Sequence, residues 1–123
     1  MREERLFTPE EADAMLAELG PRLERIREAR QRIIRTSERI SEAVATDGGG
    51  IQGTDYFDAL DVLRAEVERL ATQDVLLRDA EIGLVDFPTD RDGQRAFLCW
   101  RLGEERVSWW HPVESGFAGR RPL

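Results

Sequence analysis

Apolar residues recur in alternating steps of four and three from Ala12 through Leu16, Leu19, Leu23 and Ile26, continuing past Arg30 to Ile33 and past Ser37 to Ile40 and Val44. That spacing keeps one face of an α-helix apolar. Thr8, Pro9 and Glu11 supply a cap, a first-turn proline and a capping-box carboxylate, so helix one is expected over about 9–45. Gly20-Pro21 interrupts good helix chemistry while the stripe keeps phase, which predicts a kink there, with a break as the alternative. The glycine-rich stretch 46–53 cannot sustain a helix and reads as a loop. Tyr56, Leu60, Leu63, Val67, Leu70, Asp74 and Leu77 then repeat the stripe, giving helix two over about 54–79 and, with the short loop, an antiparallel, coiled-coil-like hairpin.

Beyond Leu77 the chain turns to short runs rich in aromatic and branched residues: 82–87, 95–102 and 106–111. Asp90-Arg-Asp-Gly93 and Gly103-Glu-Glu105 provide turn chemistry between them, so a small three-stranded antiparallel β-meander is expected over about 82–111. An irregular tail, 112–123, completes a single α+β domain spanning 1–123.

Charge refines the hairpin. Arg22 to Arg39 holds seven Arg against three Glu, while Asp55 to Glu81 holds eight acids against three Arg, so the helices complement each other. A register pairing Val44 with Tyr56 or Leu60 would put Arg30 within a turn of Asp74, a charged pair that fixes register. The overall net charge of -7 argues against nucleic acid or an anionic membrane as partner. Every basic residue is Arg, which excludes lysine chemistry, and Cys99 is the sole cysteine, which excludes an intrachain disulfide and a thiolate-rich zinc site. Without a signal core or a membrane-length apolar run, a cytoplasmic location is expected.

Gly83-Leu-Val-Asp-Phe-Pro88, Leu98-Cys-Trp-Arg-Leu-Gly-Glu104, Ser108-Trp-Trp-His111 and the closing Gly116-Phe-Ala-Gly-Arg-Arg-Pro-Leu123 carry a resemblance. Together with the Phe7-Thr-Pro-Glu-Glu-Ala12 opening, the chain resembles the family called domain of unknown function 2203, uncharacterised bacterial proteins. The resemblance implies no activity. Pro112 stands where the family pattern has Glu after the histidine, which removes an acidic group beside His111, although Glu114 lies close by.

The polar chemistry concentrates in the aromatic-rich third. His111, Asp86 and Glu114 form a candidate set for a divalent metal, against the plain alternative of a hydrogen-bonded structural histidine. Cys99 beside His111 would form a nucleophile and base, but its place between Leu98 and Trp100 favours a buried, inert thiol. Arg101, Arg120 and Trp109 are candidates for a ligand surface, against Arg120 pinning the tail to Asp86 or Glu114. Phosphate-loop and serine-triad signatures are absent.

Two functional readings follow. The first is an interaction or assembly module in which the hairpin, with off-stripe Met15, Ile34, Phe57, Val62, Val75 and Leu76, supports a homo-oligomer or binds a protein partner, and no cofactor is expected. The second is a small ligand- or metal-binding domain, with enzymatic activity open, built on Asp86, His111 and Glu114.

Overall fold

The computed structural model describes residues 3–47 and 54–123. Helix α1 spans Pro9–Asp47 and helix α2 Thr54–Thr72. They are followed by strands β1 (Leu76–Asp79), β2 (Leu84–Arg91), β3 (Gln94–Arg101), β4 (Trp109–Pro112) and β5 (Arg121–Pro122), which form one antiparallel sheet in chain order. The sheet therefore has five strands, not the three of the expected meander. The glycine-rich stretch from 48 to 53 lies outside the described residues.

The capping box forms as its residue types dictate: the Thr8 amide donates to Glu11 Oε1 at 2.9 Å, and the Glu11 amide to Thr8 Oγ1 at 3.1 Å. These bonds, the first to the backbone of Thr8, hold the Glu11 carboxyl below its ordinary range. The helix then runs unbroken through Pro21, with Leu19 and Leu23 buried on either side. Pro21 and Ala17 are both exposed, so water can reach the Ala17 carbonyl that lacks its usual donor. Beyond Ile26 the buried line passes through Ala29 and Thr36, while Arg30 is half-buried and Ser37 exposed. On α2 the fully buried positions are Ala59 and Leu70. Small side chains, Ala29, Thr36 and Ala59, thus occupy the inner line of the hairpin beyond Ile26, and larger ones, Leu19, Leu23, Ile26 and Leu70, the part nearer the sheet.

Cross-helix pairs fix the register. Gln73 donates to Glu18, Arg22 and Arg25 both reach Glu66, and Arg32 lies 3.8 Å from Asp55. Arg30 is therefore level with the first turns of α2, far from Asp74, and the expected Arg30–Asp74 register does not form. Asp74 has left the helix altogether. Its φ of 61° places it in the left-handed region, its amide donates to the Ala71 carbonyl, and the Val75 amide donates to Leu70. That is a Schellman stop, with Val75 and Leu70 both buried across it. Helix α2 ends seven residues before the expected boundary of 79, since Leu77 preserved the helical phase by coincidence while its segment pairs with β2.

Asp92 and Gly93, with φ of 54° and 80°, make the two-residue turn that joins β2 to β3, and the Gly93 amide donates to Asp90 Oδ1. Gly83 (φ 69°) packs so tightly that a Cβ there would lie 2.6 Å from Leu102 Cβ. The expected irregular tail is ordered: a 3-10 turn at Phe117–Gly119 leads into β5, which pairs with Trp109 and Trp110.

One apolar core joins helices and sheet. Leu19, Leu23, Ile26 and Leu70 pack with Val85, Phe87, Leu98 and Trp100, and Phe7 meets Phe87 edge-on with ring centroids 5.2 Å apart. Among the described residues, no helix is long and apolar enough to cross a membrane.

Candidate functional site

Alternation along β2 and β3 decides which side chains face the helices. Val85 opposes Trp100 and Phe87 opposes Leu98, all within the core, whereas Asp86 opposes Cys99 on the other face. On β4, Trp110 opposes Leu98 and packs against the core, while His111 opposes Phe97 and Trp109 opposes Cys99. The outer face thus gathers Asp86, Cys99 and His111 from three adjacent strands. Their ligand-type atoms all lie within 4.8 Å of one another.

An outer sheet face is ordinarily wet, yet Asp86 and His111 are each only 2% exposed and Cys99 1%. The cover is the C-terminal segment. Arg120 grips Glu104 with bonds of 2.7 and 2.9 Å and lies over the rings of Trp109 and Phe117 at 5.0 and 4.9 Å, while Leu123 donates to the Ser108 carbonyl. The strap so anchored closes over a cavity of about 280 Å³ lined by Arg78, Leu84, Asp86, His111, Val113, Ser115, Gly116 and Phe117.

His111 Nδ1 lies 2.8 Å from the Pro112 carbonyl and Nε2 lies 2.9 Å from Asp86 Oδ2. A carbonyl only accepts, so Nδ1 carries a proton and donates to it, while Nε2 is engaged by the Asp86 carboxylate. Arg78 Nε also donates to Asp86 Oδ2, at 2.8 Å. Among the described residues Asp86 Oδ1, by contrast, is buried without a hydrogen-bond partner, and so is Ser115 Oγ, which packs against Gly119. Burial first, then the charge of Asp86, pushes the Cys99 thiol up to about 12. Cys99 is thus a protonated thiol at neutral pH and no nucleophile.

Of the residues singled out in the sequence, Asp86 and His111 meet. Glu114 does not join them: it is exposed and lines a different cavity with Arg91, Arg95, Trp110 and Arg121. Arg101, Arg120 and Trp109 do cluster, around Phe117, but the Arg120 guanidinium is engaged by Glu104 rather than by the expected Asp86 or Glu114. The sequence reading missed Cys99 as a companion of Asp86, and Arg78 and Ser115 altogether. The first was within reach, because a two-residue turn at Asp92-Gly93 pairs Arg91 with Gln94 and, counting back, Asp86 with Cys99.

A search of curated proteins and a search of solved structures each found no match. A family model described as an uncharacterized conserved protein, DUF2203, matches residues 5–123. The match takes in both helices, every strand and the strap over the buried polar cluster, and the chain belongs to this family of uncharacterized conserved proteins.

Proposed function

We propose that this protein is a divalent-metal-binding domain whose ligands are Asp86, Cys99 and His111. The observation that carries the reading is the orphaned Asp86 Oδ1, a carboxylate oxygen buried beside an imidazole nitrogen and a thiol with nothing to satisfy it. Leaving such an oxygen unpaired costs a fold about 1–3 kcal/mol or more, and a cation offsets that cost. The Nδ1 donation to Pro112 is the usual way a metal-ligating histidine is oriented through its second nitrogen. Carboxylate, thiolate and imidazole together suit zinc and its borderline neighbours better than magnesium or calcium, which prefer oxygen. A reducing compartment such as the cytoplasm keeps Cys99 available as a ligand.

Binding must displace the Cys99 proton, held up to about 12, so metal affinity rises with pH by about tenfold per unit for that proton alone. Elemental analysis of native-purified protein is expected to find about one metal ion per chain. His111→Gln and Cys99→Ser should lose it by at least about tenfold in affinity while the far-ultraviolet circular dichroism persists. A metal-free native protein that also fails to take up zinc or cobalt at pH 8 would overturn the reading.

A second reading concerns the hairpin. Ile34, Phe57, Val62 and Val67 are exposed on it, Phe57 at 61%, which favours self-association or a protein partner along the helices. Light scattering at high concentration tests it: a strictly monomeric mass removes the self-association arm.

A further inference from the structure

We infer that the C-terminal strap is a rigid lid, latched by Arg120 on Glu104, that peels from the sheet as a unit and gates the entry of small solutes to Asp86, Cys99 and His111. No bound ion is needed for this, so the lid stands or falls separately from the metal reading. The three polar residues beneath the strap are as buried as the apolar core. The strap itself is the reverse: none of its residues from Val113 to Leu123 is buried, and Val113, Phe117 and Leu123 are exposed. A segment that buries so little apolar surface of its own gains little hydrophobic free energy by docking. Segments of that kind open at free energies well below that of global unfolding.

Its bonds fall into two sets. Within the strap, the Ser115 amide donates to the Pro112 carbonyl, Gly119 to Gly116 and Arg120 to Phe117. Ser115 also packs so closely on Gly119 that a Cβ there would lie 2.6 Å from the Ser115 Cβ. These contacts are local, so they persist when the strap leaves the sheet, and the segment moves as one body. Between strap and sheet the links are fewer: the two-residue pairing of β5 with Trp109 and Trp110, the Leu123 amide on the Ser108 carbonyl, and the ring contacts of Arg101 on Phe117 and Arg121 on Trp110. To these Arg120 adds bonds to both Glu104 oxygens and to the Cys99 carbonyl, with its guanidinium over Trp109. A charge-assisted pair is roughly twice as strong as a neutral hydrogen bond, which makes Arg120 and Glu104 the latch. Peeling the strap from β4 uncovers the sheet face that carries Asp86, Cys99 and His111.

Cys99 is the sole cysteine, so thiol labelling reads the opening at a single position. The full chain, with excess chelator so that no ion protects the sulfur, is treated with an aromatic disulfide reagent at denaturant concentrations below the unfolding transition. Wild-type labelling should depend only weakly on denaturant, because opening exposes the surface under one strap rather than that of the whole chain. Phe87→Ala, which weakens the core on the other face, should leave the rate within about twofold. Arg120→Ala should raise it by about tenfold or more, and Glu104→Gln by several-fold. Labelling that climbs as steeply with denaturant as global unfolding, or that Phe87→Ala accelerates in proportion to the stability it loses, overturns the lid. Weakly denaturant-dependent labelling that neither Arg120→Ala nor Glu104→Gln accelerates overturns the latch. If Phe87→Ala does not fold, the denaturant dependence of the wild type decides alone.

Discussion

The two faces of the sheet are buried to nearly the same extent and built from opposite chemistry. The inner face sets Val85, Phe87, Leu98 and Trp100 against two helices. The outer sets Asp86, Cys99 and His111 under a strap of a dozen residues. An apolar face is stable under any apolar cover, because the hydrophobic effect has no direction. A polar one needs every donor and acceptor matched, and here two oxygens are left over. The inner face holds the fold together, while the outer face holds an unmet demand.

The largest effect belongs inside. Phe87 is fully buried, touches the Phe7 ring and shares the core with Leu98 and Trp100. Phe87→Ala should cost about 3–5 kcal/mol in denaturant unfolding, through lost transfer energy and the cavity left behind. On the proposed metal reading, any Phe87→Ala protein that still folds should take up as much metal as the wild type. Loss of metal from a folded Phe87→Ala protein would show that the two faces are coupled rather than separate.

Next in size is the strap. Arg120 and Glu104 have side chains only 11% and 19% exposed, and Arg120 also lies over two rings. Arg120→Ala should cost about 1–3 kcal/mol, largely because it leaves the Glu104 carboxylate without its charged partner, with only the Arg101 amide still donating to Oε1. If the loss is local to the strap, Cys99 should react about tenfold or more faster with thiol reagents. Unchanged Cys99 reactivity alongside a clear loss of stability would mean that the strap opens only when the whole protein does.

Cys99 gives a smaller, pH-dependent effect in the metal-free protein. An unfolded chain gives up the thiol proton near its ordinary 9.0, whereas the folded chain keeps it until about 12. The contribution is therefore whole below pH 9 and falls by about 1.4 kcal/mol per pH unit as pH rises from 9 towards 12. The chain contains no lysine, so few other groups titrate there. Cys99→Ala should flatten the alkaline limb of a stability-against-pH curve, and an equally steep limb in the variant would place the cause elsewhere.

What the sequence made legible follows from the range of the interactions. The capping box, the Asp92-Gly93 turn and the stripe from Ala12 to Ile26 are local, settled within a few residues, and their residue types announce them. Asp74 misled because one side chain served two patterns: it fell in phase with the helical stripe, yet it adopts the left-handed conformation that ends the helix. The outer strands β1 and β5 are short and exist because neighbouring strands offer them free edges, a non-local cause that composition does not record. The same holds for the site. His111 and Asp86 stood out as rare polar groups among aromatics, but the choice of Cys99 over Glu114 as the third member depended on strand register, and Ser115 depended on the strap folding back.

The smallest predicted effect separates buried from exposed ion pairs and sharpens the contrast from outside. Glu66 bridges Arg22 at 2.5 Å and Arg25 at 2.9 Å across the hairpin, with Arg25 49% exposed and Glu66 16%. Removing Arg25 leaves Glu66 still paired to Arg22, so no buried charge is stranded, and an exposed pair is screened by water and salt. Arg25→Ala is therefore expected to cost about 0.2–1 kcal/mol, and the difference should vanish in about 1 M salt, where charges are screened within about 3 Å. The Arg120→Ala deficit should survive the same salt, because most of it comes from a partner stranded under the strap. Equal salt sensitivity in the two variants would mean that Glu104 is as wet as the hairpin surface, and that the strap does not keep water from the outer face of the sheet.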